Sequence, residues 1–295
     1  MSTRRVVVRV PATSGNLGAG FDCLGMALDL WAQVTLTAGD AQPPSRPIEG
    51  LITEAGHAYY RSTGKRAPAG LSATWEGPVP VARGLGASAA ARVGGLLAAA
   101  ALAGDGPPDR ELLLVLAADL EGHADNAAPA LFGGVQVVVR EPDGVAHTGV
   151  RLPEGVKAVL LVPDLEMPTY ESRRLLPKEL SRQDAVYNIG RAALLVAALA
   201  GGRFDLLDVA TRDRLHQPAR ARLFPAMDDV FKAAKDAGAL CAWLSGGGST
   251  IAALALADEE RIARAMLEAA AARGYSGNTV ITAPTEQGAS VADVD

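Results

Sequence analysis

The chain opens on Val6, Val7, Val8 and Val10, a β-branched run that predicts a buried strand, and Pro11 is expected to end it. Alternating apolar positions predict further strands over 31–37 and 71–75, the second closed by Gly77, Pro78 and Pro80. The period then changes. Alanine and leucine dominate 88–103 and predict a helix, and a second helix is expected over 109–120, just after Pro107 and Pro108. Residues 134–140 read as a strand, and Glu141-Pro142-Asp143-Gly144 predicts a hairpin turn. A strand over 157–162 begins a second domain, in which helices are expected over 185–200, 204–214 and 227–237. The last section reads as strand (239–245), glycine turn, strand (250–254), helix (258–273) and strand (279–282). That order fits a ferredoxin-like α+β layer. The polar tail 287–295 is expected to fray.

Composition narrows the function class. A chain of 295 residues has room for two lobes sharing a cleft, and 49% hydrophobic against 21% charged residues excludes wholesale disorder. A net charge of −5 argues against a nucleic-acid binder. It does not argue against a nucleotide substrate. Cys23 and Cys241 have no metal-like spacing, and Arg9 interrupts the first apolar run too early for a secretory leader. The alanine-rich stretches 96–103 and 192–200 are too short to span a bilayer. A reduced, cytoplasmic protein with no membrane partner is expected.

Chemistry concentrates in three glycine-rich segments. In Pro80-Val81-Ala82-Arg83-Gly84-Leu85-Gly86-Ala87-Ser88-Ala89-Ala90 a glycine loop runs directly into a strong helix. A helix start offers unpaired N–H groups and the positive end of the dipole, which suits a phosphate chain. No Lys-Ser/Thr pair closes the run, so it is not a Walker A loop. Gly84, Gly86 and Ala89 match the loose dinucleotide fingerprint, but Pro80 sits badly in the strand that fingerprint needs. Leu244-Ser245-Gly246-Gly247-Gly248-Ser249-Thr250 lies between two apolar strands, and Thr13–Gly20 is a third small-residue loop. Taken alone, these residues support an anion-binding α+β enzyme and no narrower reading.

The motifs carry a resemblance. Residues 11–25, from Pro11 through Asn16 and Asp22 to Gly25, resemble the N-terminal motif of homoserine kinases, and Pro80–Ala90 is similar to the phosphate loop of the GHMP superfamily. Glu121-Gly122-His123-Ala124-Asp125-Asn126 through Ala130 resembles a segment that separates homoserine kinases from other members. Leu244–Thr250 is similar to the third GHMP motif, and Thr169-x-x-x-Arg173 and His216-Gln217-Pro218-Ala219-Arg220 also fit. Two positions depart from the pattern. Ala87 stands where a serine is usual, and Ser249 replaces a more usual proline.

The resemblance implies a two-lobed α+β fold: a ribosomal-S5-domain-2-like ATP-binding lobe over 1–152 and a ferredoxin-like lobe over 153–295. It implies phosphorylation of L-homoserine with ATP and Mg²⁺ in threonine biosynthesis, and a homodimer is possible. Pro80–Ala90 would wrap the triphosphate, and Ser88 and Glu121 would hold Mg²⁺, a hard cation that takes oxygen ligands. Arg173 and Arg220 would take the substrate carboxylate, since a guanidinium matches it bidentately, and Asp22 would take the ammonium. Asn16, His123, Asn126 and Thr169 would orient the substrate. For the hydroxyl proton two readings stay open: Asp125, beside Asn126, as general base, or no side-chain base at all. A mevalonate-type GHMP kinase and a non-catalytic scaffold remain the alternative functions.

Overall fold

A computed structural model describes residues 4–39, 43–104 and 106–294. Strand β1 (Arg4–Gly15) continues through Pro11, where a strand end was expected. The C-terminal strand pairs with β1 only over Val6–Arg9, so Pro11 faces one neighbour, and the register shifts beside it. Strand β2 (Leu24–Gly39) pairs with β1 along its length and is longer than its alternating segment suggested.

Helix α1 (Pro47–Thr63) was not anticipated, although its start is legible. Pro47 sits at the first helical position and Glu49 accepts hydrogen bonds from the Ser45 and Arg46 amides, which satisfies N–H groups that a helix start leaves unpaired. Ile48, Ile52, Ala55 and Tyr59 are buried at helical spacing. Strand β3 (Gly70–Glu76) pairs with β2, and helix α2 (Ala87–Ala103) packs on β2 and α1. Gly95 allows that approach, because a Cβ there would lie 2.4 Å from the Ile52 carbonyl oxygen. Asp109 caps helix α3 (Arg110–Glu121) by accepting from the Glu111 and Leu112 amides, and the short helix α4 (Ala127–Phe132) follows. Strands β4 (Val135–Glu141) and β5 (Gly144–Val150) form the expected hairpin.

The second sheet begins with β6 (Lys157–Pro163). Its run of apolar residues is continuous because both faces are covered: Val159 and Leu161 join one core, Ala158 and Leu160 the other. Helices α5 (Thr169–Arg174) and α6 (Arg182–Ala200) follow. The helix expected over 204–214 is a 3-10 turn (Phe204–Leu206) and α7 (Leu207–Ala210) only. Asp213 interrupts it: its carboxylate accepts from the Leu215, His216 and Gln217 amides and starts α8 (Gln217–Arg220) instead. Helix α9 (Met227–Asp236), strands β7 (Cys241–Leu244) and β8 (Ile251–Ala255), helix α10 (Glu259–Ala271) and strand β9 (Gly277–Thr282) complete the layer. Its strands run in the order β7-β8-β6-β9, all antiparallel, with α9 and α10 packed against it.

Through Val294 the tail is not frayed, and Asp295 lies outside the described residues. Strand β10 (Ser290–Val294) returns to the first sheet, whose order is β10-β1-β2-β4-β5 with β3 also on β2. Its pairing with Val6–Arg9 is a main-chain ladder, so it needs no apolar signature, and Arg110 Nη2 donates to the Ala289 carbonyl at 2.8 Å.

Candidate active site

The glycine-rich segments converge on one cleft of about 480 Å³ between the two sheets' loops. Three backbone hydrogen bonds stitch them together. Thr13 N donates to Leu85 O at 3.1 Å, Gly246 N to Gly15 O at 3.1 Å, and Thr250 N to Arg83 O at 3.0 Å. The Ser245 hydroxyl adds bonds to Ser14 Oγ at 2.8 Å and Gly84 O at 2.7 Å. Ser249, in the place of the usual proline, donates to Leu165 O at 2.5 Å and ties the third loop to the segment before α5.

Pro80, Val81, Ala82, Gly84, Leu85, Gly86, Ala87 and Ser88 all line the cleft. Gly84 and Gly86 have φ of 78° and 68°, and a Cβ would meet Ser245 O at 2.2 Å and Thr13 Oγ1 at 1.9 Å respectively. Only glycine fits either position. No side chain caps α2, so its first N–H groups have no side-chain acceptor at the cleft wall. Arg83 does not line the cleft as expected: its Nε donates to Pro163 O at 3.0 Å and its Nη1 lies 3.3 Å from Glu166. Ala89 and Ala90 are fully buried, and Ala90 joins the core on which α2 packs.

Ser88 and Glu121 come together, the hydroxyl 3.1 Å from Glu121 Oε2. The other carboxylate oxygen is taken by Arg92, one turn beyond Ser88 on α2. Sequence reasoning missed Arg92; its four-residue spacing from Ser88 was the available signal. Two oxygen donors, one of them anionic, beside an uncapped helix start suit a hard cation bound to phosphates. Pro47, Ile48 and Leu51 of α1 form an apolar wall of the same cleft that was also not foreseen.

At the other end Asp125 is 1% exposed. Its Oδ1 lies 2.5 Å from His123 Nδ1 and its Oδ2 accepts from Asn126 Nδ2 at 3.1 Å, while Asn126 Oδ1 accepts from the Thr13 hydroxyl at 2.9 Å. Burial lowers the His123 pKa, but the hydrogen bond and charge of Asp125 outweigh it, leaving the ring above its ordinary 6.5. Asn16 lines the cleft, but its side chain is occupied by backbone: Nδ2 donates to Gly246 O at 2.8 Å and Oδ1 accepts from Asp22 N at 3.0 Å.

Asp22 and Arg173, foreseen as receptors for opposite ends of a zwitterion, bind each other bidentately at 3.0 and 2.6 Å. Among the described residues Arg220 has no such partner. It is 2% exposed, its Nη1 donates to His216 Nδ1 at 2.9 Å and Gly246 O at 3.0 Å, and its Nε has no hydrogen-bond partner. Burial, and then the charge of Arg173, bring its pKa down to about 10. Thr169, at the start of α5, borders the same space.

Comparison with known proteins settles the family. The model for the GHMP kinases N-terminal domain matches residues 50–134, and that for the GHMP kinases C-terminal region matches 195–272. A homoserine kinase from Moorella thermoacetica is 40% identical, covering 97% of this chain and 99% of the relative. The chain belongs to the homoserine kinases of the GHMP family. Another member, from Thermus thermophilus, is 43% identical over 92% of this chain and 94% of its own. The crystal structure of homoserine kinase from Cytophaga hutchinsonii is 30% identical, with a TM-score of 0.86 and 97% of each chain covered. Mevalonate kinase from L. major, at 15% identity and a TM-score of 0.60 over 96% of each chain, shares the fold. The two-lobed α+β architecture is that of the GHMP kinases, and family membership implies ATP as phosphoryl donor.

Proposed function

We propose that this chain transfers the γ-phosphoryl group of ATP to the side-chain hydroxyl of L-homoserine, giving O-phospho-L-homoserine for threonine biosynthesis. The observation that carries the reading is Arg220, a buried guanidinium without a carboxylate partner, in the same cleft as a glycine-built anion cradle. A substrate carboxylate would complete Arg220. The Asp22–Arg173 pair offers the matching exchange, in which the substrate's ammonium and carboxylate replace each residue's present partner.

Gly84, Gly86 and the α2 start would hold the phosphates, and Ser88 and Glu121 would hold Mg²⁺, which supplies charge neutralisation. Arg92 keeps the Glu121 carboxylate turned toward Ser88. The hydroxyl oxygen attacks the γ-phosphorus, the bond to the β-phosphate oxygen breaks, and ADP leaves with that electron pair. The hydroxyl proton passes to the Asp125–His123 pair, whose 2.5 Å contact and raised His123 pKa support a base role. Ala87 removes one hydroxyl from the cradle but leaves Ser88 and Glu121 assembled, which favours an enzyme over a non-catalytic scaffold.

A domain boundary at 152/153 belongs to the same reading, with Ser290–Val294 handed back to the first sheet. Free Cys23 and Cys241 support a cytoplasmic setting, and no helix among the described residues is long and apolar enough to cross a membrane. A homodimer is compatible with the resemblance, and the net charge of −5 argues against a nucleic-acid partner. The test is ADP release with ATP and Mg²⁺, comparing L-homoserine with mevalonate, shikimate and L-serine. Turnover selective for L-homoserine is the expected result. Preference for mevalonate, which has no ammonium group, would overturn the assignment.

A further inference from the structure

Arg220 is gripped by a histidine where a carboxylate would be the ordinary partner. The protonation state of that histidine follows from the contacts. A guanidinium has only donors, so His216 Nδ1, 2.9 Å from Arg220 Nη1, is an acceptor and carries no hydrogen. Its Nε2 lies 2.8 Å from the Gly18 carbonyl oxygen, also an acceptor, so that nitrogen holds the one ring proton. His216 is therefore neutral. Asp213 does not change this: its Oδ2 is 3.8 Å from His216 Nε2, and its carboxylate already accepts from the Leu215, His216 and Gln217 amides and from Asn188 Nδ2 at 2.6 Å. Burial lowers the His216 pKa, in the direction the contacts require.

We propose that His216 is a positioning residue that orients Arg220 without neutralising it, reserving the guanidinium charge for the substrate carboxylate. The inference rests on the reading of Arg220 as carboxylate receptor. Arg173 is the contrast within the same cleft, since its charge is matched by Asp22. An arginine answered by a buried carboxylate has little charge left for a ligand, and binding then requires exchange of that partner. A neutral acceptor supplies direction only. Gly18 anchors the ring from the first loop, so the receptor in α8 is aimed by a residue that touches both lobes.

The experiment compares H216Q with H216E, nearly isosteric variants that differ by one charge, using L-homoserine and its carboxylate-free analogue 2-amino-1,4-butanediol. H216E is expected to raise KM for L-homoserine about 10–100-fold over H216Q, with KM for ATP and kcat within about threefold. The diol should show no such gap. Equal KM values for L-homoserine in the two variants, or a gap that persists with the diol, would overturn the proposal. R220Q, assayed alongside, separates the two layers. An unchanged KM there removes the carboxylate reading itself, whereas a rise in R220Q with H216Q and H216E alike removes only the role of His216. Should circular dichroism show H216E unfolded, H216Q against H216L decides: a lower KM in H216Q supports a neutral acceptor, and equal values reject it.

Discussion

The two ends of the cleft are built by different means. The proposed phosphate end is mostly backbone: Gly84, Gly86 and the start of α2 come from one continuous segment, and their geometry follows from where glycine and a helix begin. The proposed substrate end is side chains brought from Asp22, Asp125, Arg173 and Arg220, which lie in four separate loops or helices. A backbone cradle is expected to tolerate changes of side chain such as Ala87. A side-chain constellation depends on every hydrogen bond that aims it, from His216 on Arg220 to Asn126 on Asp125.

That contrast can be broken at its strongest point first. Glu121→Gln removes the carboxylate beside Ser88 and is expected to lower kcat about 10²–10³-fold and raise the Mg²⁺ concentration needed for half-maximal rate. KM for L-homoserine should stay within about threefold of the parent. A large rise in that KM would show that the two ends are not separable.

Asp125→Asn tests the substrate end, with an expected loss of about 10²-fold in kcat. It also has a signature in pH. Asp125 raises the His123 pKa above 6.5, so the acid limb of the kcat profile lies above that value in the parent. Removing the negative charge lowers the His123 pKa, and the limb moves to lower pH. A loss below about tenfold with the limb unmoved would reject the base role.

Ala87→Ser restores a hydroxyl to the phosphate end and should act least, lowering KM for ATP about two- to tenfold with kcat nearly constant. An effect on KM for L-homoserine instead would count against a division by backbone and side chain.

Much of the molecule was legible before folding. The glycine loop before α2, the helix start at Asp109 and the hairpin at Glu141–Gly144 are local signals, each contained in a few neighbouring residues, and the ferredoxin-like order of the second lobe is a succession of such signals. The start of α1 was equally local, in Pro47 and Glu49, but went unread. Two of the misreadings share a cause: Pro11 inside β1 and the paired tail β10 depend on partners far away in sequence. The broken helix at Asp213 was local, since its carboxylate takes the amides two to four residues on, but it went unread.

What the sequence determined by itself is the set of elements with strong local propensity and the chemical inventory of the site. Which charge stays unpaired was decided only by tertiary structure. The four-residue spacing of His216 and Arg220 makes their contact a local one, but nothing in either segment says that Asp22 pairs with Arg173 and not with Arg220. Burial and the proximity of an opposite charge are properties of the folded neighbourhood, and they make one guanidinium a closed pair and leave the other without a carboxylate among the described residues.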